Sequence, residues 1–256
     1  TTTRLPNLDA LLATMLATDE HATYAVAWVD TLAQGRHLGR AVLTTAEHAV
    51  RGDLDPRTQP LAYRTRQLAG TPDVIPNWAL NRLSVRAFNE LWYRKAPARP
   101  RVSLQSIPAF FHPLDSVADW NRIYGSRGFL QYQFVVEDAQ VVQHALERVS
   151  AAGCPAFLAV LKRFAAENAA PMSFPKAGWT LALDVPTSIP GLAGLLDEVD
   201  REVVAAGGRV YLAKDSRMDP ALLPAMYPRL EEFRAVRERV DPLRRWRSDL
   251  SERLGL

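Results

Sequence analysis

The stretch "GFLQYQFVVEDAQVVQHALERVSAAG" (residues 128–153) changes its hydrophobic period at Glu137-Asp138. Before that point, Leu130, Tyr132, Phe134 and Val136 alternate with Gln131 and Gln133. A two-residue period is that of a strand with one apolar side. After it, Val142, Ala145 and Val149 recur at helical spacing, Asp138 is a good N-cap and Gly153 a good stop. The chain therefore reads as a strand over 128–136 and a helix over 138–153.

Reading outward, "AFLAVLKRF" (156–164) and "GWTLALDVP" (178–186) are the next two strands. "GLAGLLDEVDREVVAAGG" (191–208) is a second helix, with Pro190 near its start and Gly207-Gly208 at its end. "RVYLAK" (209–214) is read as a fourth strand. The order βαββαβ is a split-βαβ unit, which carries both helices on one face of its sheet. The expected fold class is α+β: an antiparallel sheet containing this ferredoxin-like unit, helices on one face, and a helical C-terminal tail.

Alternation assigns side chains to the two faces. Phe157, Ala159 and Leu161 join Trp179, Leu181 and Leu183 on the helix side. Gln131, Gln133, Lys162, Thr180, Ala182 and Asp184 share the other, and Lys214 comes from the adjoining strand end. Amide, hydroxyl and ammonium groups suit an oxygen-rich ligand. The plainer alternative is a water-covered sheet face, with Lys214-Asp215 a solvated pair worth roughly 0–1 kcal/mol.

Upstream, "TYAVAWVD" (23–30) and "RAVLTT" (40–45) read as strands around the turn "QGRHLG" (34–39). Residues 52–76, with four prolines, read as connection. "NWALNRLSVRAFNELWYRK" (77–95) reads as a helix, with Leu80, Leu83, Ala87 and Leu91 at helical spacing. "RVSLQSI" (101–107) alternates like a strand, and "SVADWNRIYG" (116–125) reads as a short helix.

The 256 residues are 48% hydrophobic and 23% charged, an ordinary globular composition. A net charge of +3 demands neither nucleic acid nor an anionic membrane. The single cysteine, Cys154, excludes an internal disulfide, and five scattered histidines show no metal-ligand spacing. No apolar run approaches the ~18 residues of a membrane span. The opening "TTTRLPNLDALLATML" lacks a methionine and is expected to be cut from a longer protein.

Several longer motifs then fall into one order: "ELWYRK" (90–95), "FHPLD" (111–115), "WNRIYG" (120–125), "GFLQYQFVV", "APMSFPKAGW" (170–179), "GGRVYLAKDSR" (207–217) and "MYPRLEEFRAVRERVDPLR" (226–244). Together they resemble the decaprenylphosphoryl-ribose 2′-oxidases, flavoproteins of actinobacterial cell-wall synthesis within the vanillyl-alcohol-oxidase and sugar-lactone-oxidase group. The resemblance implies a FAD-dependent oxidoreductase acting on a secondary alcohol of a sugar. It makes residues 1–208 the substrate-binding (cap) domain and 209–256 the return segment completing a FAD-binding domain whose main part lies outside this chain. That FAD domain, a sugar substrate, a reductase, and peripheral membrane contact if the sugar is lipid-linked are the implied partners. Lys214 matches the essential active-site lysine and would serve both catalysis and cofactor. Gln131, Gln133 and Lys162 match polar positions of the substrate pocket. Tyr211 would stack near the flavin or simply pack. This chain departs from mycobacterial members at Ala182, where they carry a reactive cysteine, at Thr180, where they carry asparagine, and at Phe111, where they carry tyrosine.

Leu230, Phe233 and Val240 form an apolar stripe expected to dock on the FAD domain; without that domain the stripe would be exposed, and self-association or disorder of 218–256 is expected. Two other readings stay open. One is a noncatalytic interaction domain that has lost its cofactor half. The other is an RNA-binding module, since "RGFLQYQF" (127–134) partly matches an RNA-recognition strand. There, however, Gln131 replaces a stacking aromatic and the motif falls on the first strand rather than the third.

Overall fold

The computed structural model describes residues 1–19, 21–63, 67–72, 74–76 and 79–256. Its strands are β1 (Thr2–Leu5), β2 (Tyr24–Val29), β3 (Ala41–Ala46), β4 (Ala69–Gly70), β5 (Val117–Ala118), β6 (Phe129–Val136), β7 (Ala159–Phe164), β8 (Gly178–Pro186) and β9 (Arg209–Val210). Its α-helices are α1 (Leu8–Thr18), α2 (Arg82–Lys95), α3 (Ile107–Phe111), α4 (Ala139–Ala151), α5 (Leu192–Ala205), α6 (Leu223–Met226), α7 (Leu230–Val240) and α8 (Asp249–Leu254). Seven strands form one sheet in the order β1-β3-β2-β7-β8-β6-β9. Every neighbouring pair in it is antiparallel. The remaining two, β4 and β5, pair in parallel.

The apolar rows meet as alternation requires. Tyr132 lies opposite Leu183, Phe134 opposite Leu181 and Val136 opposite Trp179. On β7, Ala159 and Leu161 continue the same layer, and Ala27 of β2 carries it on to Leu43 of β3. Helix α4 covers this layer with Val142, Ala145 and Val149; α5 adds Leu196, Val199 and Val203, and α1 adds Leu11 and Met15. Asp138 caps α4 by accepting from the Gln140 N–H. Burial of this layer is the main favourable term for the fold.

Several expectations are corrected. Residues 101–107 are not a strand: only Arg101 bridges to Thr2, and Val102 is 80% exposed. Alternation there has no neighbouring edge to pair with. The strand expected at 209–214 stops at Val210, and Leu212–Lys214 form a 3-10 turn. The strand expected from 156 begins at Ala159. Phe157 accordingly leaves the helix-side layer, its ring meeting Phe88 and Tyr124. Residues 116–125 form β5 and a 3-10 turn, Trp120–Tyr124, rather than one α-helix. Asn77 and Trp78, taken as the start of a helix, lie outside the described residues; the helix α2 begins at Arg82 behind the cap Asn81. Its expected apolar face points to solvent, with Leu83 78% and Leu91 72% exposed. It docks instead through Val85 and through Asn89, whose amide donates to Asp30 Oδ1 at 2.6 Å. Arg40 completes that junction by pairing with both Asp30 and Glu90.

The C-terminal stripe is also revised. Leu230 is buried, whereas Val240 is exposed. Met218, Leu223, Met226, Tyr227, Leu230 and Leu254 enter the same core as the sheet, whereas Val236, Val240, Leu243 and Trp246 stay exposed. The Tyr227 hydroxyl donates to the Val210 carbonyl at 2.7 Å, and Arg209 Nε to the Met226 carbonyl at 3.0 Å.

Candidate functional site

On the second face of the sheet, strand register sets Gln131 opposite Asp184, Gln133 opposite Ala182, and Lys162 opposite Thr180. Opposed residues of antiparallel strands share a face, so β6, β7 and β8 assemble these groups without help from loops. Gln131 Nε2 donates to Asp184 Oδ1 at 3.0 Å, and Gln133 Nε2 to Thr180 Oγ1 at 2.9 Å. Lys162 is exposed and Gln131 half-buried. Thr180 and Asp184, by contrast, are 1% and 3% exposed, so this polar row is largely sequestered from water.

Part of the cover comes from the 3-10 turn at 120–124. Tyr124 stacks on Phe129, which shares the Gln131 row, with ring centroids 4.2 Å apart. The Tyr124 hydroxyl and Asp184 Oδ2 are both buried without a hydrogen-bond partner. Buried polar atoms are nearly always paired, so two orphans beside one cluster mark a place where a ligand or water belongs.

Lys214 reaches this cluster from the turn after β9. The Tyr211 N–H donates to the Gln133 carbonyl at 2.8 Å, and the Lys214 N–H donates back to the Tyr211 carbonyl at 3.0 Å. The chain thus leaves the ladder beside Gln133 and turns once, bringing in a half-buried lysine. Asp215 is not its solvated partner. One Asp215 oxygen accepts from the Arg217 and Met218 amides, and the other pairs with Arg253 at 2.5 Å. No hydrogen bond or ion pair holds the Lys214 amine among the described residues.

The charges of the cluster act on one another. Burial lowers the Lys214 pKa, the Asp184 charge raises it and the Lys162 charge lowers it further. Burial pushes Asp184 up to about 6, against the opposing effects of the Gln131 hydrogen bond and the Lys214 charge. Tyr124 is pushed above its ordinary value, first by burial and then by Asp184. A carboxyl and an amine moved toward each other in this way are typical of functional sites, although structural networks also do it.

The structure thus groups six of the expected residues: Gln131, Gln133, Lys162, Thr180, Ala182 and Lys214. Tyr211 stands beside them with its ring stacked on Phe174 at 4.4 Å. Phe111 is elsewhere: it is 43% exposed and meets Tyr24 edge-on at 5.0 Å. Asp184 was placed on this face by the sequence without a site role of its own, and Tyr124 was given none. Alternation put Asp184 on the right face, but its near-complete burial is not something alternation reports. No group of three or more potential metal ligands exists among the described residues, and no helix there is long and apolar enough to cross a membrane.

No family model matches the chain. It is 40% identical over 238 residues to decaprenylphosphoryl-beta-D-ribose oxidase of Mycolicibacterium smegmatis, which covers 91% of this chain and 51% of that protein. It is 39% identical over 264 aligned residues to a Streptomyces coelicolor protein described as "Uncharacterized protein in mprA 5'region", covering 99% of this chain and 71% of that one. The chain spans about half the length of the mycolicibacterial relative.

Proposed function

Because the chain belongs to the decaprenylphosphoryl-β-D-ribose oxidase family, we propose that it is the substrate-binding part of a FAD-dependent oxidase. The parent oxidises a secondary alcohol of a sugar, a polyprenyl-phosphate ribose that serves cell-wall synthesis. Residues 1–208 make most of the substrate-binding domain, and 209–256, which add its edge strand β9 and pack on the same core, contribute Lys214 to the flavin side. We read the part from β6 to β9 as a ferredoxin-like unit, a reading supported by the strand order β7-β8-β6-β9 and by α4 and α5 between those strands. The observation that carries the reading is the convergence of Lys214, from the turn after β9, on the buried polar row of β6 and β8.

FAD, when bound at this face, supplies the hydride acceptor. The fit rests on Lys214, a half-buried amine without a hydrogen bond among the described residues, which complements the anionic edge of a reduced flavin. Its ammonium would complement the negative charge that the flavin gains as hydride leaves the carbinol carbon, the hydroxyl proton passing to solvent. Gln131 and Gln133 amides and the Thr180 hydroxyl orient sugar hydroxyls, and Lys162, exposed at the rim, takes the phosphate. Tyr211 backs the site through its stack on Phe174. Ala182, between the two glutamine pairs, offers volume and no thiol.

In the full-length parent, anaerobic mixing with the polyprenyl-phosphate ribose should bleach the flavin absorbance. Lys214→Ala should slow that reduction by at least about 100-fold, the usual scale for losing a charge-stabilising donor, while flavin stays bound. Undiminished reduction in the variant removes Lys214 from the chemistry. A flavin-free parent removes the oxidase reading altogether.

A further inference from the structure

We propose that Tyr132, Asp200 and Arg217 are positioning residues for Lys214: a buried chain of hydrogen bonds through them ties the turn that carries the lysine to α5 and to the strand that carries Gln131 and Gln133. The inference deepens the reading of this face as the alcohol-oxidising site and rests on it for its purpose, but the clamp itself is measurable without flavin or sugar.

The bonds form a closed ring. In one direction from β6, the Gln133 carbonyl accepts from the Tyr211 N–H at 2.8 Å, and the Lys214 and Asp215 N–H groups donate back to the Tyr211 and Leu212 carbonyls at 3.0 and 3.1 Å. In the other direction, the Tyr132 hydroxyl donates to Asp200 Oδ1 on α5 at 2.7 Å. Asp200 Oδ2 accepts from Arg217 Nη2 at 2.9 Å, and the same nitrogen pairs with Asp197, one helical turn earlier. The Arg217 N–H donates to Asp215 Oδ1 at 3.0 Å, which keeps the link between clamp and turn short. Adjacent residues of one strand, Tyr132 and Gln133, therefore hold the two ends of the turn that presents Lys214. The ring is sequestered: Asp200 is 1% and Tyr132 4% exposed, and the Arg217 side chain 16%. Burying such a pair costs desolvation that its attraction does little more than offset, so its contribution lies in geometry rather than stability. Geometry is what this lysine lacks on its own. A single 3-10 turn has weak bonds, the four-carbon stem is flexible, and no hydrogen bond or ion pair holds the amine among the described residues. Its place is set from the backbone end. Tyr132 points to the helix side of β6 while Gln131 and Gln133 point to the other, so the same clamp steadies the strand that carries the amides.

The test begins with native-state hydrogen exchange of the intact chain, read by NMR. The Lys214 and Asp215 amides should be as protected as those of β6 and exchange only through global unfolding. Exchange of these two amides through local opening overturns the proposal, and that measurement needs no variant to fold. The variant that isolates the clamp is Tyr132→Phe/Asp200→Leu/Arg217→Met, because replacing a whole buried ionic group by apolar side chains spares stability where breaking one partner does not. Its melting temperature should stay within about 5 °C of the unaltered chain. Exchange at Lys214 and Asp215 should rise at least about tenfold while the β6 amides keep their rates. In the flavin-bound parent the same variant should reduce flavin at least about tenfold more slowly at saturating sugar, with the half-saturating concentration and flavin content nearly unchanged. A merely structural role gives the reverse: lost stability, with an unchanged rate for each folded, flavin-bound molecule. Unchanged exchange in the variant, or a loosened turn with an undiminished rate, also overturns the proposal. A parent that reduces no flavin even with the network intact overturns the oxidase reading instead, and the exchange rates still decide the clamp.

Discussion

Asp184 combines a 3% exposed carboxyl with one oxygen that no neighbour satisfies. Burial disfavours the charged form, which is why its folded pKa rises from 3.8 to about 6. The sign follows from proton linkage. Between pH 3.8 and about 6 the unfolded chain releases this proton before the folded chain does. The stability contributed by the neutral carboxyl is therefore complete below 3.8 and is lost as pH rises through about 6. Such a shift corresponds to at most about 3 kcal/mol. Asp184→Asn, which stays neutral, should raise the melting temperature at pH 8, with the advantage vanishing at pH 4. Thermal melts at those two values decide it; a variant less stable at pH 8 contradicts the burial argument. A residue that costs stability where it is ionised is expected at a functional site. Much of this cluster was legible from period-two alternation, which placed Gln131, Gln133, Lys162, Thr180 and Asp184 on one face. The weight of Asp184 was not, because alternation assigns a face but not how deeply tertiary packing buries it, here to 3% exposure.

At the scale of elements, β6, α4, β8 and α5 follow from period, caps and stops, because each has a strong local signal that its packing reinforces. Two misreadings have one cause: local pattern is blind to partners. Residues 101–107 alternate but only Arg101 finds a partner strand, at Thr2. Helix α2 carries an apolar stripe, yet the Asn89–Asp30–Arg40–Glu90 network orients it the other way. The N-terminal β1 and α1 went unread for a related reason, since β1 is a four-residue edge strand whose sheet partner, β3, lies some 40 residues on. The pairing of β6 with β8 can be probed at Gly178, where φ is +138° and an added Cβ would lie 2.2 Å from the Val136 carbonyl oxygen. Neither the dihedral nor the contact tolerates a side chain, and backbone cannot move aside cheaply. Gly178→Ala should cost roughly 3 kcal/mol. Gly194, inside α5 with open space around its Cβ position, is the contrast. Gly194→Ala should gain about 0.5–1 kcal/mol by limiting the unfolded chain. Urea denaturation of both variants checks the pair, and equal losses would mean that the β6–β8 contact is not the sensitive feature.

For the whole molecule, the question is whether 218–256 is an appendage or part of one core. The sequence pointed to an appendage, since its arginine-rich helices and apolar stripe look like a surface awaiting another domain. The packing divides the segment: Val236, Val240, Leu243 and Trp246 remain exposed, while other side chains, which composition could not single out, enter the core. Met218, Leu223, Met226 and Tyr227 are each 1% exposed or less and belong to the cluster that includes Phe134 and Val210. Polar links tie the same segment down: Tyr227 to the Val210 carbonyl, Arg253 to Asp215 and to the Met218 carbonyl. Asp215 lies one residue after Lys214, so these links also fix the turn that presents the lysine. Removing 218–256 would uncover four large apolar side chains' worth of sheet edge and leave the Val210 carbonyl without its tyrosine donor. The intact chain should consequently unfold in one cooperative transition, and a chain ending at Arg217 should aggregate or lack a transition. Calorimetry of both forms distinguishes the cases: two separable transitions in the intact chain, or an unchanged melt after truncation, would return the segment to the status of an appendage. Tyr227→Phe gives the finer measurement, with a loss of about 1–2 kcal/mol for the orphaned Val210 carbonyl in urea denaturation.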